Sequence, residues 1–242
     1  MKKYGLIGKS LSHSFSKQYF DKKFVADNIS GASYTLFEIA TIEDITAILD
    51  TDNLVGLNVT IPYKESVIEY LTQLDEVAAK VGAVNIIKLS QGKITGYNTD
   101  VYGFEESLKP LLEEQHNKAL ILGTGGASKA VTYVLDKLGI LYQFVSTKKD
   151  SSYLQYDDIS SDVLIDYKLI INTTPLGMFP DVNDTPLPNL EGIGNQHFIY
   201  DLIYNPLETK LLKEAKHKGA IIKNGLEMLQ LQAEKNWEIW NE

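Results

Sequence analysis

Lys118-Ala119-Leu120-Ile121-Leu122-Gly123-Thr124-Gly125-Gly126-Ala127-Ser128 is the stretch that decides the fold. An apolar run ends on glycines at 123, 125 and 126, and helical spacing follows through Leu138. Glycines let a backbone approach a pyrophosphate, and a helix N-terminus offers unpaired N–H groups to it. The spacing matches Gly-x-Gly, with Ser128 at the third glycine position. A tight strand-to-helix turn without a ligand is the plain alternative; the strand before and the helix after are the context a dinucleotide site requires. Further apolar runs at Leu141–Ser146, Tyr167–Thr173, Phe198–Ile203 and Ala220–Lys223 alternate with helical segments. That grammar predicts a parallel sheet buried on both faces.

The end of the second strand distinguishes the cofactors. An NAD site usually carries Asp or Glu there for the ribose hydroxyls. Here the run is Val145-Ser146-Thr147-Lys148-Lys149, with no carboxylate before Asp150. Two lysines stand where a 2′-phosphate would arrive, which favours NADP; a solvated basic turn is the alternative.

The chain has 242 residues, no Cys and a net charge of −9. All 23 of its Lys+Arg residues are lysines. Disulfides, thiolate metal sites and cysteine nucleophiles are therefore excluded, and no metal site is expected. An acidic chain without arginine argues against a nucleic-acid binder, because phosphate backbones need clustered cations. The beginning, Met1 to Gly8, has neither the long apolar run nor the small-residue cleavage site of a signal peptide. No apolar stretch approaches the ~20 residues of a membrane-spanning helix. A soluble cytoplasmic protein, monomer or homodimer, is expected.

Before residue 101, strand-like and helix-like segments alternate. Lys3–Gly8, Ser33–Glu38 and Leu54–Val59 read as strands, with a hairpin of Ala83–Lys88 and Lys93–Tyr97. Ser16–Asn28, Thr41–Leu49, Glu65–Leu74 and Glu76–Val81 read as helices. Across the junction Tyr102–Gln115 reads as another, and Leu226–Trp240 as the last. Three segments are too polar for their apolar flanks. Ser12-His13-Ser14-Phe15-Ser16 offers more hydroxyls than one helix cap uses. Asn58 and Thr60 share one face of a strand end, after which Pro62 stops the strand and aims Lys64. Asn85 and Asn98-Thr99-Asp100 complete the set. A Lys–Asp pair in a cleft can transfer a proton, with the carboxylate orienting the ammonium. Spacing alone leaves open whether Lys64 and Asp100 meet.

These residues resemble the shikimate dehydrogenases over nearly the whole chain. The resemblance rests on Gly8…Ser12–Ser16, Gly56–Glu65, Gly82–Asn85, Gly96–Asp100, Gly123–Ser128, Ile171–Met178, Asp201–Pro206 and Gly225–Ala233. It implies an α/β fold of two domains: a substrate-binding domain of residues 1–100 completed by helix 226–242, and a Rossmann-type NADP-binding domain of residues 101–225. It implies NADPH-dependent reduction of 3-dehydroshikimate to shikimate on the way to chorismate and the aromatic amino acids. Lys64 matches the proton-transferring lysine and Asp100 its partner. Ser14, Ser16, Thr60, Asn85, Asp100, Tyr204 and Gln232 match substrate-binding positions. Gly123, Thr124, Gly125, Gly126 and Ala127 match the pyrophosphate loop. Ser146, Thr147 and Lys148 match the adenosine-phosphate position, and Leu202 and Gly225 match positions lining the nicotinamide, with Met178 expected near them.

Three positions depart from the family pattern. Lys17 replaces a proline, Lys129 replaces the arginine after the glycine loop, and Ser146-Thr147-Lys148 replaces Asn-Arg-Thr. The lost arginine normally meets the 2′-phosphate and the adenine face. An ammonium supplies charge without a stacking, bidentate fork, so a weaker NADP preference is expected. Two other readings keep the fold: a quinate/shikimate dehydrogenase using NAD, and a dinucleotide-sensing module without turnover. Retention of Lys64 and Asp100 argues against the module.

Overall fold

The computed structural model describes residues 1–12 and 14–242. Its residues group into two units, Met1–Asp100 with Gln232–Glu242, and Val101–Leu231.

The first unit is built on a mixed six-stranded sheet in the order β2-β1-β3-β5-β6-β4. Its strands are β1 (Lys2–Gly8), β2 (Ala32–Glu38), β3 (Leu54–Val59), β4 (Gln73–Leu74), β5 (Ile86–Ser90) and β6 (Lys93–Tyr97). The helices are α1 (Phe15–Ala26), α2 (Ile45–Leu49) and α3 (Glu76–Val81). Alternate strand residues serve opposite faces. Ile7 and Ile87 join one buried cluster with Ile45, Leu57 and Val67. Their neighbours Leu6 and Ile86 join another with Phe20, Tyr34 and Trp240.

The second unit carries an all-parallel sheet in the order β11-β10-β9-β7-β8. Its strands are β7 (Lys118–Leu122), β8 (Leu141–Val145), β9 (Leu169–Asn172), β10 (Phe198–Asp201) and β11 (Ile221–Asn224). The helices α5 (Gly126–Leu138), α6 (Ser161–Asp166) and α7 (Lys210–His217) connect them. The order of strands reverses between β7 and β9. At such a switch point the loops leaving the two strands part and open a crevice for a ligand. The loop leaving β7 is the glycine turn.

Two helices span the unit boundary. α4 (Asp100–Leu108) starts on the last residue of the first unit, and α8 (Leu226–Asn241) changes unit at Gln232. The sequence assigns the whole of the last helix, from Leu226, to the first unit; in the structure its first six residues group with the second. From Gln232 on, Ala233, Ile239 and Trp240 are buried in the first unit, and the indole Nε1 of Trp240 donates to Ile87 O at 2.9 Å.

Three helical expectations are corrected. Glu65–Leu74 is a 3-10 segment, Ser66–Tyr70, followed by β4. Thr72 is the cause: its N–H donates to Ile94 O and its hydroxyl accepts from Ile94 N, drawing the chain onto the sheet edge beside β6. Tyr102–Gln115 stops as an α-helix at Leu108, and a 3-10 turn, Lys109–Leu111, follows. Pro110 has no N–H and crowds the preceding turn, so the α-helix cannot pass it. The Thr41–Leu49 segment likewise opens as a 3-10 turn, Ile42–Asp44, before α2.

Candidate active site

Lys64 is placed by its neighbours. After β3 the chain turns through a cis Ile61–Pro62 bond. Tyr63 is buried and donates its hydroxyl to Ile39 O at 2.8 Å, while the Lys64 carbonyl accepts from Val84 N at 2.7 Å. A backbone pinned on both sides leaves only the side chain to choose a direction. The ammonium Nζ lies 2.6 Å from Asp100 Oδ2, at the start of α4. The two side chains keep 21% and 15% of their exposure, enough for a ligand to reach the pair. The structure thus brings together two residues 36 positions apart.

The other carboxylate oxygen, Asp100 Oδ1, accepts from Asn85 Nδ2 at 3.0 Å. Asn85 Nδ2 also lies 3.2 Å from Gln232 Oε1 on α8. Lys64, Asp100, Asn85 and Gln232 therefore form one connected group within the first unit. Asn58, on the same strand face as Thr60, is buried and accepts from the Tyr34 hydroxyl at 2.7 Å. Burial raises the pKa of that hydroxyl well above the ordinary value, and the Ser16 side chain acts in the opposite direction. Ser14 caps α1, its Oγ accepting from Lys17 N at 3.4 Å. A proline at position 17 has no such N–H, so this departure gains a cap; the Lys17 ammonium is turned to Asp21 at 2.5 Å. His13 lies outside the described residues. Sequence reading missed Asn236, which is fully buried and donates Nδ2 to Gln232 Oε1 at 3.2 Å. Its spacing of four from Gln232, one turn along the same helix face, is the signal that could have found it.

The second unit holds the remaining expected positions. Gly123 has φ +94°, and a Cβ there would stand 2.8 Å from Thr174 Cγ2 in the loop after β9. Gly125 and Gly126 differ: a Cβ on either would meet no atom within 4 Å. Packing against the protein does not demand glycine at these two positions. They leave open space at the start of a 13-residue helix whose N-terminus no side chain caps. That is the fit a pyrophosphate needs. Thr124 and Ala127 are half-buried around it. Ser128, at the third glycine position, is buried and donates to Gly125 O at 2.7 Å.

At the end of β8, buried Ser146 accepts from Lys148 N at 3.1 Å, and Thr147, Lys148 and Lys149 are exposed. Asp150 is turned away onto its own loop, its Oδ1 accepting from Ser152 N and Oγ at 2.9 and 2.6 Å. Those bonds hold its carboxyl below the usual range. An adenosine phosphate arriving at this turn meets ammonium groups rather than a free carboxylate. Among the described residues no group of three or more His, Asp or Glu side chains is placed to hold a metal, and no helix is long and apolar enough to cross a membrane.

At the end of β10, Leu202 N donates to Asn172 O at 3.0 Å and Gly225 N to Ile203 O at 3.0 Å. A Cβ on Gly225 would stand 2.0 Å from Leu202 O. Tyr204 is half-buried, and burial raises its pKa. Beneath these loops Asp201 is fully buried. It accepts from Asn172 Nδ2 at 3.0 Å, Ile203 N at 3.1 Å and Thr209 Oγ1 at 2.6 Å. Burial nevertheless pushes its pKa from 3.8 to about 6. The folded protein then binds this proton more tightly than the unfolded chain does. Its stabilising contribution is complete below about pH 4 and is lost as pH rises through about 6. Measured by denaturation from pH 4 to 7, the stability of wild type relative to Asp201→Asn should fall by ~2 kcal/mol. A constant difference would remove Asp201 as the source.

An open glycine turn at a sheet switch point and an ammonium–carboxylate pair on a separate α/β unit define an oxidoreductase of the nicotinamide-dinucleotide class. A sequence profile described as the shikimate dehydrogenase substrate binding domain matches residues 6–87. The chain is 43% identical over 256 residues to a shikimate dehydrogenase (NADP(+)) of Clostridium beijerinckii, covering all of this chain and 93% of that one. A crystal structure of a chorismate mutase/shikimate 5-dehydrogenase fusion protein from Clostridium acetobutylicum matches with TM-score 0.88 and 37% identity, over 100% of this chain and 91% of that one. The crystal structure of a shikimate dehydrogenase in complex with NADP+ matches with TM-score 0.85 and 32% identity, over 99% and 90%. The chain belongs to the shikimate dehydrogenase family.

Proposed function

We propose that the chain is an NADP-dependent shikimate dehydrogenase of the cytoplasm, interconverting 3-dehydroshikimate and shikimate on the route to chorismate. The observation that carries this reading is the 2.6 Å Lys64–Asp100 pair, with Lys64 inside residues 6–87, which match the family's substrate-binding domain, and Asp100 in the same unit. The first unit carries most of the substrate-binding positions and the second the cofactor-binding ones. NADP(H), when bound, supplies or accepts the hydride. Lys64 protonates the oxygen of the reduced ketone in one direction and takes that proton in the other. Asp100 keeps the ammonium aimed at the substrate. Ser14 and Ser16 hold the substrate carboxylate, and Thr60, Asn85, Tyr204 and Gln232 its hydroxyls. The turn from Gly123 to Ala127 holds the pyrophosphate, while Leu202 and Gly225 line the nicotinamide.

Purified protein should reduce NADP on addition of shikimate at alkaline pH. Absence of turnover with either nicotinamide cofactor would overturn the proposal. Quinate with NAD is the competing pair, and comparison of kcat/KM for both substrates with both cofactors separates them. Relatives at 35–43% identity carry the name shikimate dehydrogenase (NADP(+)), which favours shikimate and NADP.

Ser146, Thr147 and Lys148, with Lys149 beside them, face the 2′-phosphate in this reading. Exposed ammonium groups act through charge, and salt screens them within about 10 Å at 0.1 M. The NADP/NAD ratio of kcat/KM should therefore fall as salt rises. Lys148→Ala with Lys149→Ala should lower it by about tenfold, the scale of one charged hydrogen bond. An unchanged ratio would take both lysines out of the phosphate site.

A further inference from the structure

Four side chains behind the Lys64–Asp100 pair close a ring of hydrogen bonds: Thr99, Asn85, Gln232 and Asn236. All are buried, with exposures of 2, 3, 6 and 0%. The direction of every bond follows from one backbone group. Thr99 N can only donate, and it lies 2.7 Å from the Asn85 side chain, so the atom it meets is the oxygen Oδ1. The other end of Asn85 is then Nδ2, which agrees with its 3.0 Å contact to Asp100 Oδ1, a carboxylate acceptor. Its second hydrogen is shared between Thr99 Oγ1 at 2.9 Å and Gln232 at 3.2 Å; only an acceptor can lie that close to Nδ2, so the Gln232 atom there is Oε1. Asn236 reaches the same Oε1 at 3.2 Å and must do so with Nδ2. That leaves Asn236 Oδ1 to accept the Thr99 hydroxyl at 2.5 Å, and the ring closes without a mismatch.

With Oε1 taken twice, Gln232 has only its amide hydrogens left for a ligand, and among the described residues Nε2 has no hydrogen-bonding partner. We infer that Asn236 and Thr99 are positioning residues that lock the Gln232 amide as a donor, so that Gln232 recognises a lone pair on a substrate oxygen and not a hydroxyl hydrogen. The inference rests on the proposed reaction, because Gln232 must face the substrate. Asn236 touches no reacting atom; it acts through Gln232 and, by way of Asn85, through Asp100.

The variants are Asn236→Asp, Asn236→Ala and Thr99→Val. A carboxylate at 236 cannot donate to Oε1, so Gln232 must turn its amide and present oxygen to the ligand. Asn236→Ala frees the amide to rotate. KM for shikimate should rise about tenfold in the alanine variant and further in Asn236→Asp, with a smaller fall in kcat. KM for NADP should stay within twofold in both. A purely structural role would lower the active fraction and the melting temperature and leave KM unmoved. Thr99→Val keeps the shape and removes only the hydroxyl, and a rise in KM there too supports the ring.

A second readout needs no turnover. In 15N–1H spectra of the unliganded protein, the Asn85 and Asn236 side-chain amides should be protected from exchange and the Gln232 amide should exchange freely. Free exchange of the Asn236 amide, or KM within twofold of wild type in all three variants, would overturn the inference. If wild type fails to turn over shikimate while the exchange pattern is as stated, the proposed reaction fails and the orientation of the ring stands.

Discussion

Lys64→Ala is expected to lower kcat for shikimate oxidation by ~10²–10⁴-fold, the range for loss of a general acid–base group. The fold should survive the change. Lys64 is held through its backbone carbonyl, which accepts from Val84 N, and Asp100 keeps Asn85 Nδ2 as a partner. Single-turnover kinetics with NADP and circular dichroism together check this. Lys64→Arg should not restore the rate. A planar guanidinium stays protonated at any working pH and cannot take the proton from shikimate. If the loss is confined to KM, Lys64 binds substrate and does not move its proton.

Gly225→Ala has the second-largest expected effect. The added carbon would stand 2.0 Å from Leu202 O and 2.6 Å from Leu202 C. Both are backbone atoms, so no rotamer change relieves the overlap. Either the end of β10 or the start of α8 has to move by more than 1 Å. Overpacking of this kind costs ~1–3 kcal/mol and sometimes more, which for a chain of this size corresponds to a melting temperature lower by ~2–12 °C. The displaced segment includes Leu202, proposed to line the nicotinamide. NADPH affinity, followed by its fluorescence, should fall at the same time. Unchanged affinity together with an unchanged melting temperature would show that the loop yields without cost.

The strands were legible wherever burial on both faces left a mostly apolar run. Lys118–Leu122 and Leu54–Val59 are found with the ends read from sequence. Glu65–Leu74 misled because Val67, Ile68, Tyr70, Leu71 and Leu74 have helical spacing, while two hydrogen bonds to Ile94 decide the matter. A partner 22 residues away leaves no local mark. The same limit applies to the site. Lys64 and Asp100 could be suspected as chemistry, but their meeting is a property of the fold. The Thr99–Asn236 bond was wholly invisible, since it joins residues 137 apart through side chains that look like ordinary helix and loop polar groups. The lysine turn after β8 was readable because it lies within a few residues of its strand.

The last helix gives the first unit a delayed birth. Its wall of Ala233, Ile239 and Trp240, and the Gln232 amide of its site, are encoded more than 130 residues after Asp100. At ~5–20 residues per second of synthesis, that delay is about 7 to 26 s. Throughout it, the face of the nascent unit around Phe20 and Tyr34 stays uncovered while the second unit is being made. The chain of the second unit is therefore complete at Leu231, before the last segment of the first, Gln232–Glu242, has been made.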